Sequence, residues 1–136
     1  MASTIQRQGR RLAREESAFT LIELLIVLVI IGILLAVAVP SYLGFKDRAK
    51  AGAAQANVRS AVPAVEAYYA DYGTYSTTAA APAPGLSATS LEAIDAGVKV
   101  TVVSGSASTY CISNTQGNYT YYKNGPASGI TTIACT

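Results

Sequence analysis

"SAFTLIELLIVLVIIGILLAVAVP" spans residues 17–40 and is apolar almost throughout, except for one acidic residue, Glu23, near its start. Between Leu24 and Phe45 the chain carries no charged side chain. A helix rises about 1.5 Å per residue, so residues 19–39 would reach roughly 30 Å, the thickness of a bilayer's hydrocarbon core. The stretch therefore predicts a membrane-spanning helix over residues 19–39.

Charged residues are few, and the whole net charge of +2 lies in the N-terminal segment before the apolar run. From Phe19 onward the chain is neutral, which gives no reason to expect a nucleic-acid partner. The chain has no histidine, the commonest general base and metal ligand, and its two cysteines form no CxxC pair. We therefore expect no enzyme, no metal site and no cofactor.

The basic residues on either side of the run bear on its orientation. Four arginines precede it, and Lys46, Arg48 and Lys50 follow it, so the positive-inside rule favours a cytoplasmic N-terminus only weakly. The two cysteines favour the same orientation, because a disulfide requires an oxidising compartment. We expect a single pass through the inner (cytoplasmic) membrane, with the C-terminus outside.

Two processing schemes fit the run. Ala36-Val37-Ala38 has the A-x-A form of a signal-peptidase site, and cleavage after Ala38 would release a small secreted binding domain. Against this scheme, the run is longer than a usual signal-peptide core and it contains Glu23. An ionisable residue within a spanning segment is by default a functional hypothesis.

The other scheme is cleavage at the start of the run. "AFTLIELLIVLVIIGILLAVAVPSY", residues 18–42, resembles the N-terminal segment of type IV pilins and of the related pseudopilins of type II secretion. In that family a prepilin peptidase removes a basic leader on the cytoplasmic side, and the new N-terminal residue, usually Phe, is methylated. The resemblance implies that residues 1–18 are the leader, that the cut falls between Ala18 and Phe19, and that Phe19 is methylated. The family usually has Gly before the cut, so Ala18 implies slower processing.

Glu23 then lies four residues from the new amine of Phe19, about one helical turn away. It could neutralise its own chain's amine. It could instead meet the amine of a neighbouring subunit in a fibre, as the resemblance implies, and so set the register between subunits. A third alternative is a glutamate that is simply favoured by the dipole at a helix N-terminus.

Two residues weaken the predicted helix. Pro40 lacks an N–H and would clash with the carbonyl of residue 36, so it predicts a kink. Gly32 costs roughly 1 kcal/mol relative to Ala. We expect the segment from Gly32 to Pro40 to unwind most easily on assembly, as the resemblance implies, with a static kink as the alternative.

Beyond Pro40 the apolar positions recur at helical spacing and predict an amphipathic continuation of the helix to residue 72. The predicted stripe consists of Tyr42, Phe45, Ala49, Val58, Val62, Val65, Tyr69 and Tyr72. We expect this stripe to pack beneath a sheet formed by the C-terminal part of the chain.

Residues 73–136 predict a globular β head. The small, polar and Pro-rich residues 76–90 indicate an exposed loop. Four segments have strand patterns, and their short connections favour an antiparallel sheet: residues 97–104, 108–114, 118–124 and 129–135. The predicted fold class is thus α+β, a long N-terminal helix packed on a four-stranded antiparallel sheet.

Cys111 and Cys135 are either a disulfide or two buried free thiols. A bridge would close a loop of about 25 residues and contribute roughly 3–4 kcal/mol in the chain-entropy model. It would also hold the C-terminus, which otherwise frays. A C-terminal disulfide loop is typical of the pilins that the chain resembles.

These observations predict a structural subunit that is cut, held in the membrane and polymerised into an extracellular type IV pilus. The resemblance implies as partners further copies of the chain, a prepilin peptidase, a membrane assembly platform and a cytosolic ATPase. Such filaments serve motility, adhesion or DNA uptake. A pseudopilin of a type II secretion or competence (DNA uptake) machine is the alternative within the family, and the secreted domain cut after Ala38 is the alternative outside it.

Overall fold

A computed structural model describes residues 19–135, which form two helices and one four-stranded antiparallel sheet. The helices are α1 (Leu21–Tyr72) and α2 (Ala88–Ile94), and the strands are β1 (Thr101–Gly105), β2 (Tyr110–Gln116), β3 (Tyr119–Asn124) and β4 (Ile130–Thr131). The strands lie in the order β1-β2-β3-β4, and each pairs with its neighbour in sequence. The α+β class, with its long N-terminal helix and antiparallel sheet, is confirmed.

The chain divides after Pro40 into two compact units. In the first unit, every residue of α1 from Leu21 to Pro40 is exposed. An 18-residue window of this helix has a mean hydropathy of 3.2 and none of it is buried within the chain. By length and composition, α1 is the one helix among residues 19–135 that could cross a membrane.

The helix is α-helical through both residues that were expected to weaken it, since Gly32 and Pro40 lie inside α1. A side chain at Gly32 would meet nothing within 4 Å. Packing within the chain therefore does not require glycine at this position. Unwinding between Gly32 and Pro40 stays a prediction about the assembled state.

The second unit begins at Ser41 and has one apolar core. The face of α1 that contributes to this core consists of Ala54, Val58, Ala61, Val65 and Tyr68. All five are fully buried, and they follow one another at steps of four, three, four and three residues. The remaining core residues come from α1, the segment after it, α2, the connection from α2 to β1, and β2: Ala64, Tyr75, Leu86, Leu91, Val98, Val100, Tyr110 and Ile112. Small alanines thus alternate with larger side chains along the buried face of α1.

Only Val58 and Val65 of the predicted stripe on α1 are buried, and at its start Tyr42 and Phe45 are 63% and 71% exposed. Tyr69 and Tyr72 are 39% and 37% exposed, whereas Tyr68 is fully buried. The prediction followed the large aromatic residues and passed over Ala61, which marks the true centre of the buried face. The buried face therefore agrees with the prediction at Val58 and Val65 and is displaced from it by one residue at Ala61 and Tyr68.

The sheet differs from prediction mainly at its two edges. The first strand begins only at Thr101, and the register shift between Val102 and Ser104 leaves Val103 unpaired as a bulge, with its side chain exposed. The last strand has two residues rather than seven. The central hairpin closes through Gly117, whose positive φ of 62° suits the first position of a tight two-residue turn.

The segment between α1 and β1 is exposed at most of residues 76–90, but it is also anchored. Leu86 is buried in the core, and Ser87 caps α2 by accepting a hydrogen bond from the Ser90 N–H at 3.1 Å. The Ser90 hydroxyl oxygen in turn accepts a hydrogen bond from the Ser87 N–H at 2.9 Å. This reciprocal capping box starts α2 inside the predicted loop.

Candidate assembly site

The predicted cleavage junction lies at the border of the described residues. Phe19 is exposed and precedes the first helical residue, Leu21. Ala18 and the whole leader, residues 1–18, lie outside the described residues. Cleavage between Ala18 and Phe19, and methylation of Phe19, therefore stay predictions.

Thr20 begins the helix, which the sequence reasoning missed. Its hydroxyl oxygen accepts a hydrogen bond from the Glu23 N–H at 3.2 Å, and its carbonyl accepts from Glu23 N–H at 3.1 Å and Leu24 N–H at 3.3 Å. Thr20 is thus the N-cap residue, and Glu23 occupies the third helical position. The signal was present in the sequence, because Thr-x-x-Glu is the capping-box spacing. The cap lies on the C-terminal side of the predicted cut, so cleavage would leave it in place.

The Glu23 carboxylate is available for a further interaction. It lies in the first turn of α1, where the helix dipole favours a negative charge. Within residues 19–135, no hydrogen bond or ion pair engages this carboxylate. The predicted cleavage would create one possible charged partner, the α-amine of Phe19, on the same chain or on a neighbouring copy.

An apolar surface of α1 covers the same helical turns as Glu23. Its side chains recur at steps of three and one, which places them on one side of the helix: Leu21, Leu24, Leu25, Leu28 and Val29. All five are exposed. At about 3.6 residues per turn, Glu23 lies nearly opposite the centre of this surface, so the acid and the apolar surface face different sides of α1.

The head is closed by a disulfide between Cys111 and Cys135, whose Cα atoms lie 6.2 Å apart. Cys111 is fully buried on β2, so the bridge holds the C-terminal segment against a central strand. Neither cysteine is free. The alternative of two free thiols does not hold in this structure.

Glu66 forms a partly buried polar cluster that the sequence reasoning did not predict. The Tyr75 hydroxyl donates to its Oε2 at 2.8 Å, and the Tyr110 hydroxyl donates to its Oε1 at 3.3 Å. Burial, together with the hydrogen bond to Glu66, raises the pKa of Tyr75 to about 12. Burial and the charge of Glu66 also raise the pKa of Tyr110. The cluster joins α1 to the following segment and to β2.

The tyrosines of this region pack on one another as well. The rings of Tyr69 and Tyr75 stack with centroids 4.4 Å apart, and those of Tyr75 and Tyr110 are tilted at 4.9 Å. Such pairs contribute roughly 0.5–1.5 kcal/mol beyond their burial. Within the described residues, no group of three or more His, Cys, Asp or Glu side chains could hold a metal ion.

An apolar N-terminal helix that its own chain leaves uncovered, followed by an α+β head with a C-terminal disulfide, defines the class of pilin-like proteins. The prokaryotic N-terminal methylation motif matches residues 14–39. The chain is 36% identical over 118 residues to the type IV wide pilus major component PilA4 of Thermus thermophilus, covering 86% of this chain and 87% of the relative.

Two further relatives match over less than half of the chain. The type IV major pilin protein PilA of Myxococcus xanthus is 41% identical over 58 residues, which cover 43% of this chain and 26% of the relative. The type II secretion system core protein G of Pseudomonas aeruginosa is 38% identical over 65 residues, which cover 48% and 46%. The chain belongs to the family of type IV pilins and type II secretion pseudopilins. Its relatives are structural proteins and not enzymes.

Proposed function

We propose that the chain is the structural subunit of a type IV pilus filament. One observation carries this function: an 18-residue apolar window of α1 is entirely unburied within the chain. Each large aliphatic side chain gains about 1.5–3 kcal/mol when it leaves water. The segment must therefore be covered by lipid or by other chains, and a filament of packed helices covers it outside the cell.

Before assembly the chain is held as a single-pass protein of the inner (cytoplasmic) membrane, with the head outside. The Cys111–Cys135 disulfide supports this orientation, because the external compartment is the oxidising one. The leader, residues 1–18, would then face the cytoplasm, where the prepilin peptidase acts. An assembly platform and an ATPase would extract the processed subunit into the filament.

The role of Glu23 is explained by the transfer of α1 from the bilayer into the filament. Lipid tails are as apolar as the helix, so moving α1 from the bilayer into a bundle yields no large hydrophobic gain. A carboxylate in the membrane costs up to about 3 kcal/mol, and pairing it with the Phe19 amine of a neighbour would offset much of this. The pair would also fix the register, because a slip would leave both charges unpaired.

A pseudopilin of a secretion or competence machine is the second candidate. The similarity to the secretion protein covers 65 residues, whereas the similarity to the wide pilus component covers 118 and includes the head. The extent of the match therefore favours a pilus. The secreted domain cut after Ala38 gains no support, because the methylation motif extends over the whole apolar run.

The test is made in cells that produce the chain. Fibres sheared from the cell surface should contain the chain as their main component, as shown by immunoblotting and electron microscopy. Deletion of its gene should remove these fibres. Fibres that persist unchanged after deletion would contradict the proposal.

A further inference from the structure

The second unit carries a basic groove between α1 and the β3–β4 connection. It is lined by Arg59, Val62, Pro63, Lys123, Ser128, Gly129 and Ile130. Lys123 is only 7% exposed, and its Nζ donates to the carbonyl oxygens of Pro126 at 3.2 Å and Ser128 at 2.8 Å. Arg59 is exposed at the rim. Among residues 19–135, no carboxylate pairs with either cation.

A second, acidic surface surrounds the end of α2. Its cavity is lined by Tyr68, Asp71, Tyr72, Pro84, Ser90, Ala93 and Ile94, and the acid Asp71 is exposed there. The Ile94 side chain is 41% exposed, and the exposed Asp95 directly follows it in the chain. The lining contains no basic residue. The surface thus offers an exposed apolar side chain and the acid Asp71 in one cavity.

The two surfaces lie at opposite edges of the sheet. The basic groove includes Ile130 of β4, the last strand in the order. The segment after α1, which leads to the acidic surface, lies alongside the β1 edge of the sheet. There the Tyr75 N–H donates to the Ser106 carbonyl at 3.0 Å. Gly105 of β1 also approaches the Tyr75 carbonyl so closely that a side chain there would collide with it. One head therefore presents a basic groove on one edge and an acidic surface near the other.

We propose that the basic groove of one subunit receives the acidic surface of a second copy of this chain. This inference rests on the proposed filament function and names a contact between heads in addition to the packing of helices. Apolar side chains meet at its centre, Ile94 of one copy against Val62 and Pro63 of the next, with Arg59 and Lys123 facing Asp71 and Asp95. The occupant is a second copy because it supplies both the complementary charge and the exposed apolar residue.

The contact joins two different patches, so it is heterologous, and repetition generates an open helical array rather than a closed dimer. Its exposed ion pairs contribute little to affinity, at most about 1 kcal/mol each, and are weakened by salt. Charge complementarity of this kind mainly fixes orientation and excludes wrong partners. An ion pair of Lys123 is not of this exposed kind, because the Lys123 side chain is already buried within its own head.

Cross-linking in intact filaments tests the contact. The full chain carrying both Val62→Cys and Ile94→Cys is treated in sheared filaments with a short bis-maleimide. We expect a ladder of dimers, trimers and longer species in denaturing gels, since each subunit is linked on both edges. Either single variant should give no ladder. As a matched control, Val62→Cys combined with Val103→Cys, an exposed valine on β1, should give none.

Charge reversal gives a second readout. Arg59→Glu should make filaments dissociate at a salt concentration at least several-fold different from that of the unmodified chain, and Asp71→Arg in the same chain should restore the original value. Lys99→Glu, which makes the same change of charge away from both surfaces, should have no effect. Intact filaments without a ladder would overturn the contact and leave the proposed function standing. If the unmodified chain forms no filaments at all, both the contact and the proposed function are overturned.

Discussion

Glu23 and Thr20 share the first turn of α1 but have separate tasks. Thr20 caps the helix through its hydroxyl, so helix initiation does not depend on the Glu23 side chain. The carboxylate is left without a partner among the described residues. Removing its charge should therefore spare the helix and affect only what the carboxylate meets outside these residues.

Glu23→Gln should leave a stable membrane-bound monomer and reduce surface filaments at least ten-fold, because the charge that sets the register is lost. Immunoblots of the sheared and membrane fractions measure both populations. Asp47→Asn, which removes one exposed acid from the same helix, is the control and should assemble normally. Normal filaments from the Glu23→Gln variant would remove the proposed role of this residue.

The Glu66 cluster predicts a loss of stability at high pH. The pKa of Tyr75 is about 12 in the folded head, against an ordinary value of 10.0. The stabilisation is therefore complete below pH 10 and is lost as the pH rises toward 12, because the ionised phenolate can no longer donate to the Glu66 carboxylate.

Chemical unfolding of the detergent-solubilised chain, followed from about pH 8 to about pH 12, measures this effect. Tyr75→Phe should lower the free energy of unfolding by about 1–3 kcal/mol at the lower pH, because it removes one donor to a partly buried carboxylate. As the pH rises over this range, the free energy of unfolding of the Tyr75→Phe variant should fall less than that of the unmodified chain. An identical pH profile for the two chains would contradict the assignment.

Among the helices and strands, the long apolar helix and the central hairpin were predictable, and the buried face and sheet edges were not. The strand pattern placed β2 and β3 within two residues of their observed bounds, because Gly117 marks the turn. The face of α1 was misjudged because alanine has a weak hydrophobic signal, yet Ala61 lies at the centre of the helix–sheet contact. The bulge at Val103 and the short β4 depend on tertiary packing that local pattern does not encode.

Gly32→Ala tests whether the helix must unwind on assembly. Alanine should stabilise α1 by roughly 1 kcal/mol, and no neighbouring atom within 4 Å opposes the added methyl group. If unwinding between Gly32 and Pro40 accompanies assembly, the variant should form fewer filaments from an equally abundant monomer. Gly52→Ala is the matched control in the same helix, where the site is equally open.

Filament counts by electron microscopy, normalised to the membrane pool, decide between the two alternatives. Equal assembly by both alanine variants would favour a helix that stays intact, with Pro40 as a static kink. A deficit confined to the Gly32→Ala variant would support unwinding.

In the chain as a whole, the fold class and the family could be predicted, because both depend on residues close together in sequence. The apolar run, its single acid and the pattern of short strands required no tertiary information. The Glu66 cluster could not be predicted, because it joins Glu66 to Tyr110, 44 residues away. The residues of the basic groove and acidic surface were visible in the sequence, but only the strand order places them at opposite edges.

The disulfide should supply much of the stability of the head. Cys135→Ser should lower the free energy of unfolding by roughly 3–4 kcal/mol, because the bridge closes a loop between residues 24 positions apart. Urea denaturation of the oxidised chain with and without reductant measures the same quantity. A loss well below roughly 2 kcal/mol, the lower end of what a disulfide usually contributes, would show that the C-terminal segment is held by other contacts.

The central claim is that the apolar helix stays attached to its head and is covered by other copies of the chain. Intact-mass spectrometry of the subunit in sheared fibres tests this claim most directly. We expect one main species that begins at Phe19 and carries one methyl group. A main species that begins at Val39, without the apolar segment, would contradict the claim.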